Sequence, residues 1–492
     1  MSRQLQVRAG AYRDSVSLMQ VSQRVAAEPG VRSALVAMAT ELNLELLAEM
    51  GFAPPNGATA NDMLVAVEAD DDAALTAALA AADAILAERA VRAGDDATDV
   101  PPRTLRTAAA GGASLALIST PGRYAAADAF EALHAGLDVV LFSDNVPLEQ
   151  EIALKETAAR LGKLVMGPDC GTAVVAGVGL GFANVVRPGP VGIVAASGTG
   201  AQQLMCLLDA AGLGVSHCLG VGGRDLSAAV EGRSTSVALD LLAADETTER
   251  VVVVSKPPAA EVARRVRAHA AGLGLPVDFA LLGSGQPTLT EVAERITVAV
   301  GREWVPPGTW PAPYERAPRP GALRGLFSGG TLCDEAMIVA SGRLGAISSN
   351  IPLTPAWSLP DDLRAPGHLM IDFGDDKLTQ GRPHPMIDGS MRAQRIVQEG
   401  ADATCGTVLL DVVLGHGAHP DPATELAPAI REARATAARS GRDLAVVVSL
   451  TGTSGDPQGL SRQAEAMQSA GASVHLSNAA AAQAATDLVM VS

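Results

Sequence analysis

Short apolar runs that end in small-residue turns and lead straight into helical periodicity recur along this chain. Val191-Gly-Ile-Val-Ala-Ala-Ser197 is followed by Gly-Thr-Gly200 and a helix expected from Thr199. Val251–Ser255, Val408–Leu414 and Leu444–Leu450 read the same way. Strands alternating with helices of about 10–15 residues build parallel βαβ units, because a parallel partner can be reached only by a crossover. The chain is therefore expected to be α/β, with several doubly wound parallel-sheet domains in series.

The rhythm divides the 492 residues. In an N-terminal α/β domain over 1–95, Ser33–Ala39 and Met63–Val67 read as strands and Asp70–Arg89 as a helix with acids at its favourable end. Residues 91–110 read as a linker. A second domain over 111–185 has strands at Leu115–Ile118, Asp138–Phe142 and Lys163–Met166, with helices at Tyr124–Ala135 and Leu148–Leu161. The pattern returns over 186–300, a proline-dense linker is expected over 301–321, and a last α/β domain fills 322–492.

Composition narrows the function classes. Apolar residues make up 48% and aromatics only 3%, so Ala, Val, Leu and Ile must fill the cores. A formal charge of −17 repels phosphodiester backbones and anionic lipid, which disfavours nucleic-acid and membrane-surface roles. No run reaches the roughly 18 apolar residues of a membrane span, and the first residues lack the apolar core of a secretory signal. Five scattered cysteines with no CxxC are the usage of a reduced, cytoplasmic protein. No metal-ligand spacing occurs, so no metal is expected.

In open parallel sheets, ligands bind beyond the carboxyl ends of the strands, so the turns there are the candidate sites. Ser197, Gly198, Thr199 and Gly200 form a small-residue turn at a helix start, suited to an anion or simply to a tight turn with Thr199 as cap. Gly415 and Gly417 flank His416, a candidate base or phosphoryl acceptor, or else an ordinary turn histidine. Ser449–Gly455 is a third such turn. The stretch Ile371–Gly389 gathers Lys377, Arg382, His384 and Asp388, which either line a site or form a solvated crossover. Cys170, Cys206 and Cys333 read as packing residues, and His217 as a core histidine. P-loop, HExxH, GxSxG and clean GxGxxG motifs are missing. What remains is chemistry on small anionic substrates, with phosphate foremost.

Val165-Met-Gly-Pro-Asp-Cys-Gly171, Gly189–Gly200 and Gly220-Val-Gly-Gly-Arg-Asp225 resemble the α-subunit of succinyl-CoA synthetase, and Ala126–Asn145 fits its CoA-binding domain. Val408–Pro422 and Leu444–Gly459 resemble the end of the β-subunit. An α-like part fused to a β-like end, with Gly-Arg-Pro-His-Pro-Met-Ile-Asp between, is similar to the FdrA family over nearly the whole chain. The resemblance implies Rossmann-like and flavodoxin-like domains and either of two activities. One is acid–CoA ligation. The other is a subunit role in oxamate carbamoyltransferase, turning oxalurate and phosphate into oxamate and carbamoyl phosphate.

Two departures bear on mechanism. The phosphorylated histidine of succinyl-CoA synthetases is missing from Phe279–Gln286, and Ser255-Lys-Pro-Pro258 stands where they carry a glutamate. The assigned domains also leave no room for an ATP-grasp domain. The leading expectation is thus a carbamoyl- or acyl-transferring subunit that uses phosphate as co-substrate without a phosphohistidine. Phosphate would sit at Ser197–Gly200 and at Gly415 and Gly417, with Arg382 clamping a carboxylate and His384 or His416 moving the proton. In the ligase alternative, CoA would lie along Ser119, Thr120, Pro121, Gly122, Arg123, Asn145, Gly167, Pro168 and Asp169. A non-catalytic scaffold is the third reading. Further protein subunits and self-association are expected partners.

Overall fold

The computed structural model describes residues 2–11, 13, 15–55, 57–92, 102–314, 321–380 and 382–489. Two compact units are present, one formed by residues up to 112 with 382 and 383, the other by 113–380 and 384 onward.

In the first unit, an antiparallel sheet has Met63–Ala69 between Ser2–Arg8 and Val31–Met38. Side chains of a strand alternate between faces, and here both faces are covered. Val65 and Val67 meet Leu18, Val21 and Val25 of the helix Ser15–Ala26, together with Ala78 and Ala82 of Asp72–Arg92. Leu64 and Ala66 meet Leu47 of Glu41–Glu49 and Phe52. This double coverage is why the central strand is apolar at nearly every position. The strand Ser2–Arg8 was not anticipated, because its Gln-Leu-Gln-Val alternation lies on a partly exposed edge. Of the expected linker over 91–110, the stretch 93–101 lies outside the described residues, while Leu105–Ala110 is a helix closed by a Thr104/Thr107 capping box.

The second unit holds three sheets. Leu115–Ile118, Asp138–Leu141 and Val165–Met166 are parallel and are followed or joined by the helices Gly122–His134 and Leu148–Leu161. A six-stranded sheet runs Val277–Leu281, Arg250–Ser255, Pro188–Ala196, Val215–Gly220, Thr172–Val175, Val178–Gly181, the last two antiparallel to their neighbours. The boundary expected at 185 is thus corrected: Thr172–Gly181 pairs with the sheet that follows. A seven-stranded sheet runs Thr309–Trp310, Ser473–His475, Ala445–Thr451, Cys405–Val413, Ala322–Phe327, Leu369–Asp372, Ser348–Ser349. Thr309–Trp310 falls in the expected 301–321 linker and is instead an antiparallel edge strand, while 315–320 lies outside the described residues.

The doubly wound architecture is as the sequence indicates. Each larger sheet has one topological switch point, where successive strands go to opposite sides of a first strand. In the six-stranded sheet it follows Pro188–Ala196, and in the seven-stranded sheet it follows Ala322–Phe327. Such points open a crevice at the carboxyl ends of the strands.

A buried ion cluster ties the three-stranded sheet's helix to the six-stranded sheet. Lys155 Nζ lies 2.8 Å from Glu151 Oε1 and 2.7 Å from Asp225 Oδ1, and it donates to Val221 O at 2.9 Å. Asp225 also accepts from Ser234 N and Thr235 N, at the start of the helix Arg233–Ala244. Among the described residues no helix is long and apolar enough to cross a membrane.

Candidate functional site

The two switch points meet. Ser197, in extended backbone, caps the helix Gly198–Ala210 by accepting from Gly200 N at 3.0 Å. The cap is therefore Ser197 and not Thr199. The same hydroxyl donates to Thr331 Oγ1 at 2.7 Å, in the first turn of the helix Gly330–Leu344. Glycine is needed at this junction. A Cβ on Gly200 would stand 2.9 Å from Thr331 Cγ2, and one on Gly329 would stand 2.6 Å from Thr199 Oγ1. Gly198, Thr199 and Gly330 keep accessible surface, so the junction opens to solvent. Two helix starts, each with unpaired N–H groups and a partial positive charge, converge on one small volume.

Asp411 fixes the second start. Its carboxylate accepts from Ser328 N at 2.7 Å, Gly329 N at 2.9 Å and Ser328 Oγ at 3.0 Å. Arg392 Nη1 holds the same carboxylate at 2.6 Å, and both side chains are buried. Burial pushes the Asp411 carboxyl up, while Arg392 and the backbone donors oppose that.

Charged side chains surround the junction. A Cβ on Gly330 would stand 2.6 Å from Lys256 Nζ and 2.7 Å from Asp372 Oδ2, so ammonium and carboxylate both reach the helix start. Asp372 Oδ1 accepts from Gly374 N at 2.9 Å. Burial raises the Asp372 carboxyl to about 7, against the pull of Lys256. Burial likewise raises Asp334 to about 6. Asp169 is exposed at its turn, yet desolvation by the groups packed around it, with the charges of Asp376 and Asp144, raises its carboxyl to about 7. Lys256 is desolvated too, but Asp334, Asp372 and Asp169 outweigh this and hold its ammonium in the charged form.

His384 lies beside this group. Its Nδ1 accepts from Met386 N at 3.2 Å, which leaves the proton of the neutral ring on Nε2. Burial and Arg392 lower the ring to about 4, so it is neutral at pH 7. A Cβ on Gly374 would stand 3.0 Å from His384 Nε2 and 3.1 Å from Asp372 Oδ1, which puts the histidine next to the carboxylate.

A second cleft is formed by the turns after the three parallel strands. Ser119–Arg123 leads into the helix Gly122–His134, which has no side-chain cap. Ser143 Oγ donates to Thr120 O at 2.5 Å, and Asp169 N donates to Ser143 O at 3.0 Å, so the three turns are tied together. Gly122 admits no side chain, since a Cβ would fall 2.1 Å from Asp144 O. Asn145 and Asp169 both have positive φ, 53° and 56°.

The structure thus gathers Ser119, Thr120, Pro121, Gly122, Arg123, Asn145, Gly167, Pro168 and Asp169 at one sheet end, and Ser197–Gly200 with His384 at the junction. Gly415, His416, Gly417 and Arg382 are placed differently from the expectation. Gly415 and Gly417 were expected at a helix start facing Ser197. They lie in a bridge in which His416 N donates to Ala183 O at 2.8 Å, and the next helix, Ala423–Arg439, begins beyond them. The His416 side chain is exposed, as is Arg382, which belongs to the first unit. The hydroxyls of Ser449–Gly455 are taken up internally: Thr451 donates to Gln203 and Thr453 to Val185 O. His217 Nδ1 accepts from Ala176 N at 3.1 Å. The cysteines are buried, and burial pushes Cys170 and Cys405 up to about 12.

Sequence reasoning missed Gly329, Gly330, Lys256, Asp372 and Asp334. The signal at the first two was present, because Ser328-Gly-Gly-Thr331 repeats the Ser-Gly-Thr-Gly grammar of 197–200 directly after an apolar strand.

Residues 326–488 match the CoA-ligase family model, and residues 1–101 match the model described as AllF, heavy metal-associated domain. Residues 1–101 contain no Cys and no His, so of the soft-metal ligand types only methionine thioethers occur there. The chain is 37% identical over 499 residues to the protein YahF of Escherichia coli (strain K12), covering 96% of the chain and 95% of that protein. It is 32% identical over 144 residues to the succinate–CoA ligase [ADP-forming] α-subunit of Methanothermobacter thermautotrophicus, covering 28% of the chain and 47% of that subunit. The ADP-forming sulfoacetate–CoA ligase subunit SauD of Bilophila wadsworthia is 27% identical over 151 residues, 29% of the chain and 50% of that subunit. The chain therefore spans about half the length of these two ligase subunits.

Proposed function

The chain belongs to the family of YahF and is a succinyl-CoA synthetase-like protein, and from this we propose that it carries out acid–CoA ligase chemistry. The observation that carries this reading is the meeting of two helix starts from different sheets at Ser197 and Thr331, with Lys256 beside them. Membership of the FdrA family, with further subunits and self-association, is part of the proposal.

In this reading the Ser119–Asp169 cleft takes CoA through backbone donors and the uncapped start of Gly122–His134. The junction takes the phosphate of an acyl phosphate. The thiol sulfur forms a bond to the acyl carbon, the C–O bond to phosphate breaks, and inorganic phosphate remains at the helix starts. The thiol proton leaves to a carboxylate, and Asp372 and Asp169, both held near neutrality, are the acceptors in place. Nε2–H of His384 is the donor toward the developing oxyanion. Titration calorimetry of the full chain with CoA tests the reading: micromolar binding supports it, and no heat at millimolar CoA overturns it.

A second reading, phosphate-dependent carbamoyl transfer, is favoured by one observation. Asp334 and the Oδ2 of Asp372 belong to largely buried residues, make no hydrogen bond among the described residues and keep a little accessible surface, and a carbamoyl NH₂ could donate to them there. Oxamate binding that needs phosphate and not CoA would support this reading over the first.

A further inference from the structure

The geometry points to Lys256 as the residue that seats the phosphate at the Gly330 helix start, holding it by charge where a covalent phosphoenzyme would hold it by a bond. This rests on the proposed reading that the junction takes phosphate. Lys256 follows directly on the strand Arg250–Ser255, and Pro257 and Pro258 come next, so its backbone is set at the sheet's carboxyl end.

Among the described residues its ammonium makes no hydrogen bond and no ion pair, although three aspartates lie around it. Lys256 is only part-buried, so its ammonium, with no protein partner among the described residues, faces open space that an arriving oxyanion could fill. A second observation comes from Asp372, only 4% exposed, whose Oδ2 is likewise unpartnered and aimed at Gly330. The open space at Gly330 is therefore bounded by one ammonium, one carboxyl and the N–H groups of a helix start. Once it has taken up a proton, the Asp372 carboxyl donates to a phosphate oxygen as the ammonium does. Lys and helix N–H groups together form the usual chemistry of a phosphate seat.

The test is calorimetric titration of the full chain with inorganic phosphate, for the wild type, Lys256→Met, Lys256→Gln and Lys256→Arg, with CoA titrated separately. The expected result is that Met and Gln weaken phosphate binding at least about tenfold, that Arg retains most of it, and that CoA affinity changes less than about twofold. Should the Met variant fail to fold, Gln and Arg carry the comparison. Phosphate binding that is unchanged in the neutral variants overturns the inference, as does a wild type that binds CoA but no phosphate. A wild type that binds phosphate through Lys256 and binds no CoA leaves the inference standing and removes the ligase reading.

Discussion

Ser197 Oγ bonds Thr331 Oγ1 at 2.7 Å, and through that contact the first turns of two helices from different sheets share one hydroxyl pair. Ser197 also caps its own helix, so one side chain orders both starts.

Ser197→Ala removes a cap and strands the Thr331 hydroxyl. The expected loss of stability is about 1–2 kcal/mol, of which the cap alone accounts for roughly 1 kcal/mol. Urea unfolding of the two proteins measures it, and phosphate affinity should fall along with it.

Lys155→Met would leave Glu151 and Asp225 buried without their cation. Removing one partner of a buried ion cluster costs about 3–5 kcal/mol, so a large fall in the unfolding midpoint is expected. An unchanged midpoint would show that the cluster contributes little to the folded state.

Asp372 gives a pH signature. Its carboxyl is raised from 3.8 to about 7, so between these values the unfolded chain has released the proton while the folded chain keeps it. Stability contributed by this group therefore falls as pH rises through that window. Asp372→Asn, which cannot ionise, should gain melting temperature relative to wild type at pH 8 and little at pH 4.5.

His384 acts in the opposite sense. Its ring is lowered from 6.5 to about 4, so between these values the unfolded chain takes up a proton that the folded chain refuses. Stability is lost as pH falls through that range. His384→Gln should flatten the acid limb of a melting-temperature profile between pH 6.5 and 4.

Gly122→Ala tests the CoA cleft separately from the junction. The added methyl would meet Asp144 O, so the 144–145 turn must move. Calorimetry should show CoA affinity reduced about tenfold or more, with phosphate binding retained.

Much of the fold was legible because strand and helix periodicities alternate cleanly over 113–300 and 322–489. The Ser197 turn was legible for the same reason. Other features carried no periodic signal. Glu151 and Lys155 stand four apart on a helix, the spacing of an ordinary surface pair, and only Asp225, seventy positions on from Lys155, accounts for their burial. Asp411 is one acid in an apolar strand, and its role depends on Ser328, Gly329 and Arg392 arriving from elsewhere. His416, flanked by glycines, reads either as reactive or as an ordinary turn histidine, and the structure shows its backbone in a bridge to Ala183.

The partners Ser197 and Thr331 lie 134 positions apart in one polypeptide. Joining the two helix starts is thus an intramolecular event, with an effective concentration set by the fold and not by expression level. Dilution cannot separate the halves of the junction. A substitution that loosens either sheet will register as altered local geometry at fixed stoichiometry, never as a vacant half waiting for its mate.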